Sequence, residues 1–358
     1  MAPDSFKGTV GAADAARALA EGWRAARPAD ELVLRPMADG GEGTLAAFAD
    51  AVPGAQRMPV RVTGPDGATV ASAWLLLPDG TGVVELACTS GIELLGGRRL
   101  PWDAHTRGFG EAIAAALDHG VRGLVLGIGS SASTDGGVGM LQALGAEFVA
   151  ADGRPVADGA RGLAAIRALR LDGLRALPPA GVTVLTDVRN PLLGSVGAAR
   201  VFGPQKGFAP SELVTADAGV AVLADLLPAD PEAPGAGAAG GTGFALLAWG
   251  ARLTPGADAV AELIGLREAI ADADLVITGE GSFDGQSAAG KAPTVVAALA
   301  ASAGVPVALV AGRIGPDADA SAFGRTVSLA AMAGGSARAR ADAAHWLREA
   351  ARALATDG

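Results

Sequence analysis

The 358-residue sequence has no tyrosine, one cysteine, three histidines, nine phenylalanines and five tryptophans. With aromatics at 4% of the chain, the core must be built from Leu, Val, Ile and Ala. The single cysteine, Cys88, excludes an intrachain disulfide and a zinc site made of several thiolates. It reads as a small buried apolar residue. His105, His119 and His345 do not cluster, and no GxSxG elbow is present, so a Ser-His-Asp triad finds no support. Charged residues make up only 18% of the chain, which the 53 glycines and many alanines explain. The net charge of -10 argues against a nucleic-acid partner, which needs clustered Lys and Arg. Apolar runs such as Leu275 to Thr278 and Val305 to Ala311 are too short to span a bilayer. The N-terminus shows no basic region followed by an apolar stretch. A cytoplasmic protein without a membrane or nucleic-acid partner is the expectation, as a monomer or homodimer.

What the chain does have is strand, glycine turn and helix in succession. Its length favours two domains. Asp14 to Ala26 reads as a helix with Trp23 on its apolar side, Glu31 to Arg35 as a short strand, and Asp39 to Thr44 as a tight turn into a helix ending at Ala51. Met58 to Thr63, Thr69 to Leu77 and Gly82 to Ala87 read as strands joined by Gly-Pro-Asp-Gly and Pro-Asp-Gly-Thr turns, a hairpin pattern. Helices are expected at Thr106 to His119, Asp135 to Leu144, Pro210 to Leu226, Gly243 to Trp249 and Ala257 to Ile264, and strands at Leu124 to Ile128 and Val182 to Thr186. The last third returns to α/β order. Leu275 to Thr278 is a strand before a Gly-Glu-Gly turn, Lys291 to Ala303 a helix with Pro293 in its first turn, and Val305 to Val310 and Thr326 to Leu329 are strands. A single final helix covers Ala337 to Leu354. This pattern predicts an α/β protein in which one domain, residues 1–57 with 268–358, is interrupted by a second, mixed α/β domain at 58–267.

Five polar clusters follow expected strands, where open α/β sheets bind ligands. In the first, Asp4 caps the next helix, or Lys7 neutralises a phosphate while Ser5 donates to it. In the second, Asp39 and Glu42 flank glycines, either as turn and cap residues or as carboxylates for Mg²⁺ or a polyol. The third, GIGSSASTDGGVG from Gly127, follows an apolar run. It lacks the lysine of a Walker loop and is not GxGxxG, which argues against an NAD-dependent oxidoreductase. Its Ser130, Ser131, Ser133 and Thr134 are helix caps or, with Gly136 and Gly137, an oxyanion cradle. Asp187, ahead of Arg189 and Asn190, either caps a turn or accepts a hydroxyl proton or a metal. Glu280, Asp284 and Lys291 form the last cluster, in which Lys291 meets phosphate or solvent.

Long motifs run in order through the chain: APDSFKG at Ala2 to Gly8, MADGGEGT at Met37 to Thr44, TRGFGEAI at Thr106 to Ile113 and DGGVGMLQALG at Asp135 to Gly145. DVRNPLLG at Asp187 to Gly194, FGPQKG at Phe202 to Gly207, GAGAAGGTG at Gly235 to Gly243, ITGEGSFDGQSAAGKAP at Ile277 to Pro293 and VALVAGR at Val307 to Arg313 complete the series. In these the chain resembles the bacterial glycerate kinase family, of the glycerate 2-kinase type. The resemblance implies a flavodoxin- or Rossmann-like domain with an inserted second domain, a cleft active site, and transfer of the γ-phosphoryl group of ATP to D-glycerate with Mg²⁺, giving 2-phosphoglycerate. It also implies roles. Asp187 orients or deprotonates the glycerate hydroxyl, and Lys7 and Ser5 stabilise the transferring phosphoryl group. Asp39 and Glu42 help hold metal or substrate, with Asp187 a further metal candidate. Ser130, Ser131, Asp135, Gly136 and Gly137 hold a carboxylate or phosphate, and Thr106 and Arg107 clamp the carboxylate. Asn190, Glu280, Asp284 and Lys291 contribute to substrate or phosphate binding.

Two departures from the family pattern stand out. The family reads GIGGSATNDGG, whereas this chain has Ser130 for a glycine and Ser133-Thr134 for threonine-asparagine. Relatives also carry a short Lys-Ile-Val-Ile-like strand before APDSFKG, where this sequence has Met1. A misplaced start codon is the plainer account, the rest of the pattern being intact. Without that strand, a looser anchor for Lys7 and a lower melting temperature are expected.

Overall fold

A computed structural model describes residues 1–6, 8–285 and 291–356. The protein is a two-domain α/β structure with mixed sheets. Met1–Asp39, Ala46–Pro53 and Pro255–Gly358 form the first unit, and Gly40–Leu45 and Gly54–Thr254 the second. The strands are β1 (Ala2–Pro3), β2 (Gln56–Thr63), β3 (Thr69–Leu76), β4 (Thr81–Glu85), β5 (Gly123–Gly127), β6 (Glu147–Ala150), β7 (Ile166–Arg170), β8 (Val182–Leu185), β9 (Arg252–Thr254), β10 (Val276–Phe283), β11 (Val307–Ile314) and β12 (Arg325–Ser328). No helix among the described residues is long and apolar enough to cross a membrane.

The first unit is built on a parallel sheet of order β1-β10-β11-β12. The strand expected at Glu31 to Arg35 does not form as a named element. Glu31 and Val33 are exposed, so the segment lacks a buried alternating face. Its backbone nevertheless runs beside β1, with Arg35 N–H donating to Met1 O and Met37 N–H to Pro3 O, both at 2.8 Å. The Gly-Glu-Gly stretch expected to turn instead continues β10 to Phe283. Those glycines permit close packing: a Cβ at Gly279 would lie 2.0 Å from Val310 O, and one at Gly312 would lie 2.4 Å from Gly281 O. The expected final helix is two helices, Ser336–Ala341 and Ala343–Thr356. Asp342 breaks it, since its Oδ1 accepts from His345 N–H at 3.1 Å and caps the second helix.

The Ala12–Ala26 helix packs its Ala15, Leu19 and Trp23 with Leu347, Ala350 and Leu354 of the last helix. Gly22 sets the approach, because a Cβ there would lie 2.0 Å from Arg348 O. Alanine is the better intrinsic helix former by about 1 kcal/mol. Gly22→Ala is nevertheless expected to destabilise the protein by about 1–3 kcal/mol through overpacking. Urea unfolding checks this, and a stabilised variant would contradict the close approach.

In the second unit the sheet order is β2-β3-β4-β5-β8-β9. The β2, β3 and β4 strands pair antiparallel, as the hairpin pattern predicts, and β4, β5, β8 and β9 pair parallel. Phe109 and Ile113 of the Arg107–His119 helix pack with Val84, Leu124 and Leu126 of the sheet. Features beyond the sequence expectation include the β6–β7 hairpin, the short β9 edge, and the Ala198–Lys206 helix, whose internal Gly203 and Pro204 argue against a helix locally.

Candidate active site

In the first unit, strands β1, β10 and β11 bring their carboxyl ends together. Asp4 N–H donates to Gly279 O and Thr278 Oγ1 to Ala2 O, both at 2.8 Å, which fixes β1 against β10. A cavity of about 600 Å³ opens at these ends. Asp4, Ser5, Asp39, Glu280, Asp284 and Lys291 line it, and Arg313 and Arg340 add positive charge. These residues come from sequence positions nearly 300 apart, so the sheet assembles the group. Lys291 stands at the N-cap of the Ala292–Ala303 helix, with Pro293 in the first turn. A lysine and a helix N-terminus at one place favour an anion. Arg313 Nη2 donates to Ser282 Oγ at 3.5 Å, and Ser282 Oγ donates to Asp284 Oδ2 at 3.4 Å. Lys7 lies outside the described residues. A second cavity of about 750 Å³, lined by Met1, Arg35 and Asp272 among others, sits at the amino ends of these strands, and none of the expected site residues reaches it.

Asp39 and Glu42 stand on either side of a turn. Gly40, with φ +89, turns the chain between them. Asp39 lines the cavity of the first unit, while Glu42 is exposed on the turn that begins the second. That turn lies on the ends of β5 and β8. Gly129 N–H donates to Gly40 O at 3.0 Å, and a Cβ at Gly40 would lie 2.4 Å from Leu185 O. Glu85, at the end of β4, holds the turn from below by accepting from Gly43 N–H at 3.1 Å and Leu45 N–H at 2.8 Å. Burial raises the pKa of Glu85, and those two N–H groups work against the rise. Burial and Glu85 together push the Cys88 thiol well above its ordinary range, so Cys88 is no thiolate nucleophile.

The loop after β5 is mostly turned inward. Ser131 through Gly137 are buried, and only Gly129 and Ser130 are partly exposed. Asp135 is wholly buried. Its Oδ2 accepts from Thr106 N–H and Thr106 Oγ1, each at 2.8 Å, and from Gly139 N–H at 3.2 Å. Its Oδ1 accepts from Ser133 Oγ at 3.1 Å and Gly137 N–H at 3.2 Å. Gly136 N–H donates to Gly240 O at 3.0 Å. Of the cradle expected at Ser130, Ser131, Ser133 and Thr134 with Gly136 and Gly137, the Ser133 hydroxyl and the N–H groups of Gly136 and Gly137 are bonded within the chain. Their polar atoms brace the loop, because the Thr106 segment and the Gly235–Gly243 loop supply partners from far along the chain. The expected carboxylate clamp changes too. Thr106 is spent on Asp135 and on Met140 N–H, and Arg107 Nη2 pairs with Asp158 at 2.7 Å and Gln142 at 3.2 Å. Asn190 Nδ2 closes its own loop on Val196 O at 2.8 Å. Asp187 follows β8 and is half-buried.

Ser130 has a left-handed backbone, with φ 59. Ile92 N–H donates to Ser130 O at 2.9 Å and Ala132 N–H to Ser90 O at 3.1 Å, which hold the strained residue on both sides.

Beneath this loop lies a residue that the reading of the sequence passed over. Lys206 is fully buried, and its Nζ donates to Ser131 Oγ at 2.8 Å and to the Ser133 carbonyl. Composition carried a signal for it. Of 28 Lys and Arg residues only Lys7, Lys206 and Lys291 are lysine, and each lies in a glycine-containing motif. Burial lowers the Lys206 pKa from 10.5 to about 7, opposed by the charge of Asp135. Between those values the unfolded chain holds the extra proton, so stability rises with pH. Wild type is expected to gain ~1.4 kcal/mol per pH unit relative to Lys206→Met between about pH 7.5 and 9. The chain has no tyrosine to obscure that window. Urea unfolding at each pH measures the difference, and a pH-independent value would contradict the lowered pKa.

Among the described residues no three His, Cys, Asp or Glu side chains are grouped as a self-sufficient metal cage. Mg²⁺ needs less, since one or two carboxylates and the phosphates it accompanies complete its shell. The carboxylates and cations lining the first unit's cavity fit that chemistry.

Comparison with known proteins gives consistent results. The model of the glycerate kinase family matches residues 1–357. The glycerate 2-kinase of Escherichia coli (strain K12) is 41% identical over 326 residues, covering 88% of this chain and 85% of that protein. The glycerate kinase of Bacillus subtilis (strain 168) is 42% identical over 329 residues, covering 89% and 86%. A crystal structure from Salmonella typhimurium LT2, assigned as glycerate kinase 2, superposes with a TM-score of 0.82 at 36% identity, covering 99% of this chain and 96% of that one.

Proposed function

The chain belongs to the glycerate kinase family, and from that premise we propose that it transfers the γ-phosphoryl group of ATP to D-glycerate, giving 2-phosphoglycerate. The observation that carries the reading is the cavity at the carboxyl ends of β1, β10 and β11, where Ser5, Lys291 and a helix N-terminus meet several carboxylates. Phosphoryl transfer asks mainly for positioning and charge stabilisation, and this lining suits it. We read this unit as the flavodoxin- or Rossmann-like domain and the enzyme as cytoplasmic.

Ser5 and Lys291 hold the phosphate oxygens, joined by Lys7 on the strength of its motif. Asp39 and Asp284 would hold Mg²⁺, which when bound offsets the charge of the phosphates. Asp187 accepts the hydrogen bond of the glycerate hydroxyl, aims its lone pair and takes its proton as the oxygen–phosphorus bond forms. Gly129 and Ser130, at the exposed end of the β5 loop, receive the carboxylate.

Incubation with D-glycerate, Mg²⁺ and ATP, followed by ³¹P NMR, tests the proposal. The 2-phospho isomer is the expected product. The 3-phospho isomer would overturn the choice of hydroxyl, and no phosphoglycerate at all would overturn the kinase reading.

A further inference from the structure

Arginine supplies nearly every side-chain cation in this chain: 25 of the 28 Lys and Arg residues are arginine. A lysine therefore marks a place where a planar five-donor fork does not serve. Lys206 shows why. At Gly240 a Cβ would lie 2.9 Å from its Nζ, so the bare glycine leaves the ammonium its room. Lys206 also touches a strained structure. Ser130 and Ala239, with φ 59 and 51, are the two non-glycine residues with left-handed backbone among those described. One stands beside Ser131, which Lys206 holds, and the other beside Gly240, which crowds it. Such conformations persist only where their surroundings hold them.

We propose that Lys206 is a positioning residue for acid binding: by holding Ser131 Oγ and the Ser133 carbonyl from beneath, it fixes Ser130 in its left-handed conformation and places a positive charge under the exposed loop end that receives the glycerate carboxylate. The inference rests on the glycerate kinase reading above. Burial brings the charge of Lys206 to the edge of loss near pH 7. Asp135 on the loop is the charged group that acts on it. Of the others on neighbouring elements, Arg99 donates to the Gln205 carbonyl, Glu212 accepts from Trp102 and Asp217 from Gly194 N–H. Arg200 shares its helix, and the Ala238–Gly241 turn carries no titratable group.

The test is steady-state kinetics at saturating ATP with wild type and Lys206→Met, a side chain of similar length without charge or donors. The KM for D-glycerate is expected to rise about tenfold in the variant, the loss of one charge-assisted contact. The KM for ATP is expected to stay within about twofold. Wild-type KM for D-glycerate should climb as pH rises above about 7, where the ammonium is lost, and the variant's should not. A merely structural lysine would change the folded fraction and leave both KM values alone. An unchanged KM for D-glycerate in Lys206→Met overturns the inference while leaving the kinase reading intact. Wild type that turns over no D-glycerate overturns both. Where the variant does not fold, the wild-type profile decides: a KM flat from about pH 6 to 8.5 refutes the role, and a rise supports it.

Discussion

Asp135→Asn is expected to cost about 3–5 kcal/mol of folding stability, although it changes one atom and no volume. The carboxylate is acceptor-only, and five donors converge on its two oxygens. An amide offers one oxygen and one NH₂. With the NH₂ at the Oδ2 position it faces the backbone N–H groups of Thr106 and Gly139; at the Oδ1 position it faces that of Gly137. Hydroxyls can rotate away from this conflict and backbone N–H groups cannot. At least one buried N–H is left pointing at another donor, and the negative charge opposite Lys206 is gone. Urea unfolding measures the loss. A change below about 1 kcal/mol would show that the Asp135 network contributes little to stability.

Asp187→Asn is expected to do the reverse, lowering kcat by about 10²–10⁴ while the fold stays intact. Asp187 stands two residues beyond the end of β8, and the strand end is tied by Thr186 N–H donating to Thr254 O at 3.1 Å and Val188 N–H to Thr186 Oγ1 at 3.2 Å. The frame that aims its side chain is made by neighbours, so an isosteric amide keeps the position and loses the base. Steady-state kinetics and a thermal melt on the same preparation decide the matter. A kcat near wild type in a folded variant would remove Asp187 from the chemistry. The two aspartates make a matched pair, one expected to matter for folding and one for turnover.

Local pattern recovered what local chemistry determines. The β2–β3–β4 hairpins, the Arg107–His119 helix and β8 stand within a residue or two of their expected positions, because hydrophobic period and turn residues fix them. The gathering of Asp4, Ser5, Asp39, Glu280, Asp284 and Lys291 was legible only as a shared placement after strands. What failed was non-local. The glycines of β10 looked like a turn because their need, a carbonyl 2.0 Å from a would-be Cβ at Gly279, comes from a neighbouring strand. The bond between Asp135 and Thr106 was not legible because nothing in either segment shows that the other, 29 residues away, is its partner. Lys206 lay in a helix disguised by Gly203-Pro204, and the burial of a lysine is decided by the loops that close over it.

The register of β1 on β10 also has a consequence for the order of assembly. Ala2 and Pro3 are made more than two hundred and seventy residues before their partners Thr278 and Gly279. The second unit lies almost wholly within one stretch, Gly54–Thr254, and is complete before that partner strand exists. The nascent chain can therefore fold the second unit while the β1 segment is still unpaired. Closing so long a loop adds little entropy beyond a shorter one, about 0.6 kcal/mol per doubling, so the cost is one of waiting time. During that interval the APDSF segment is exposed to proteases and to wrong partners, and pairing of Ala2 and Pro3 with β10 ends the exposure.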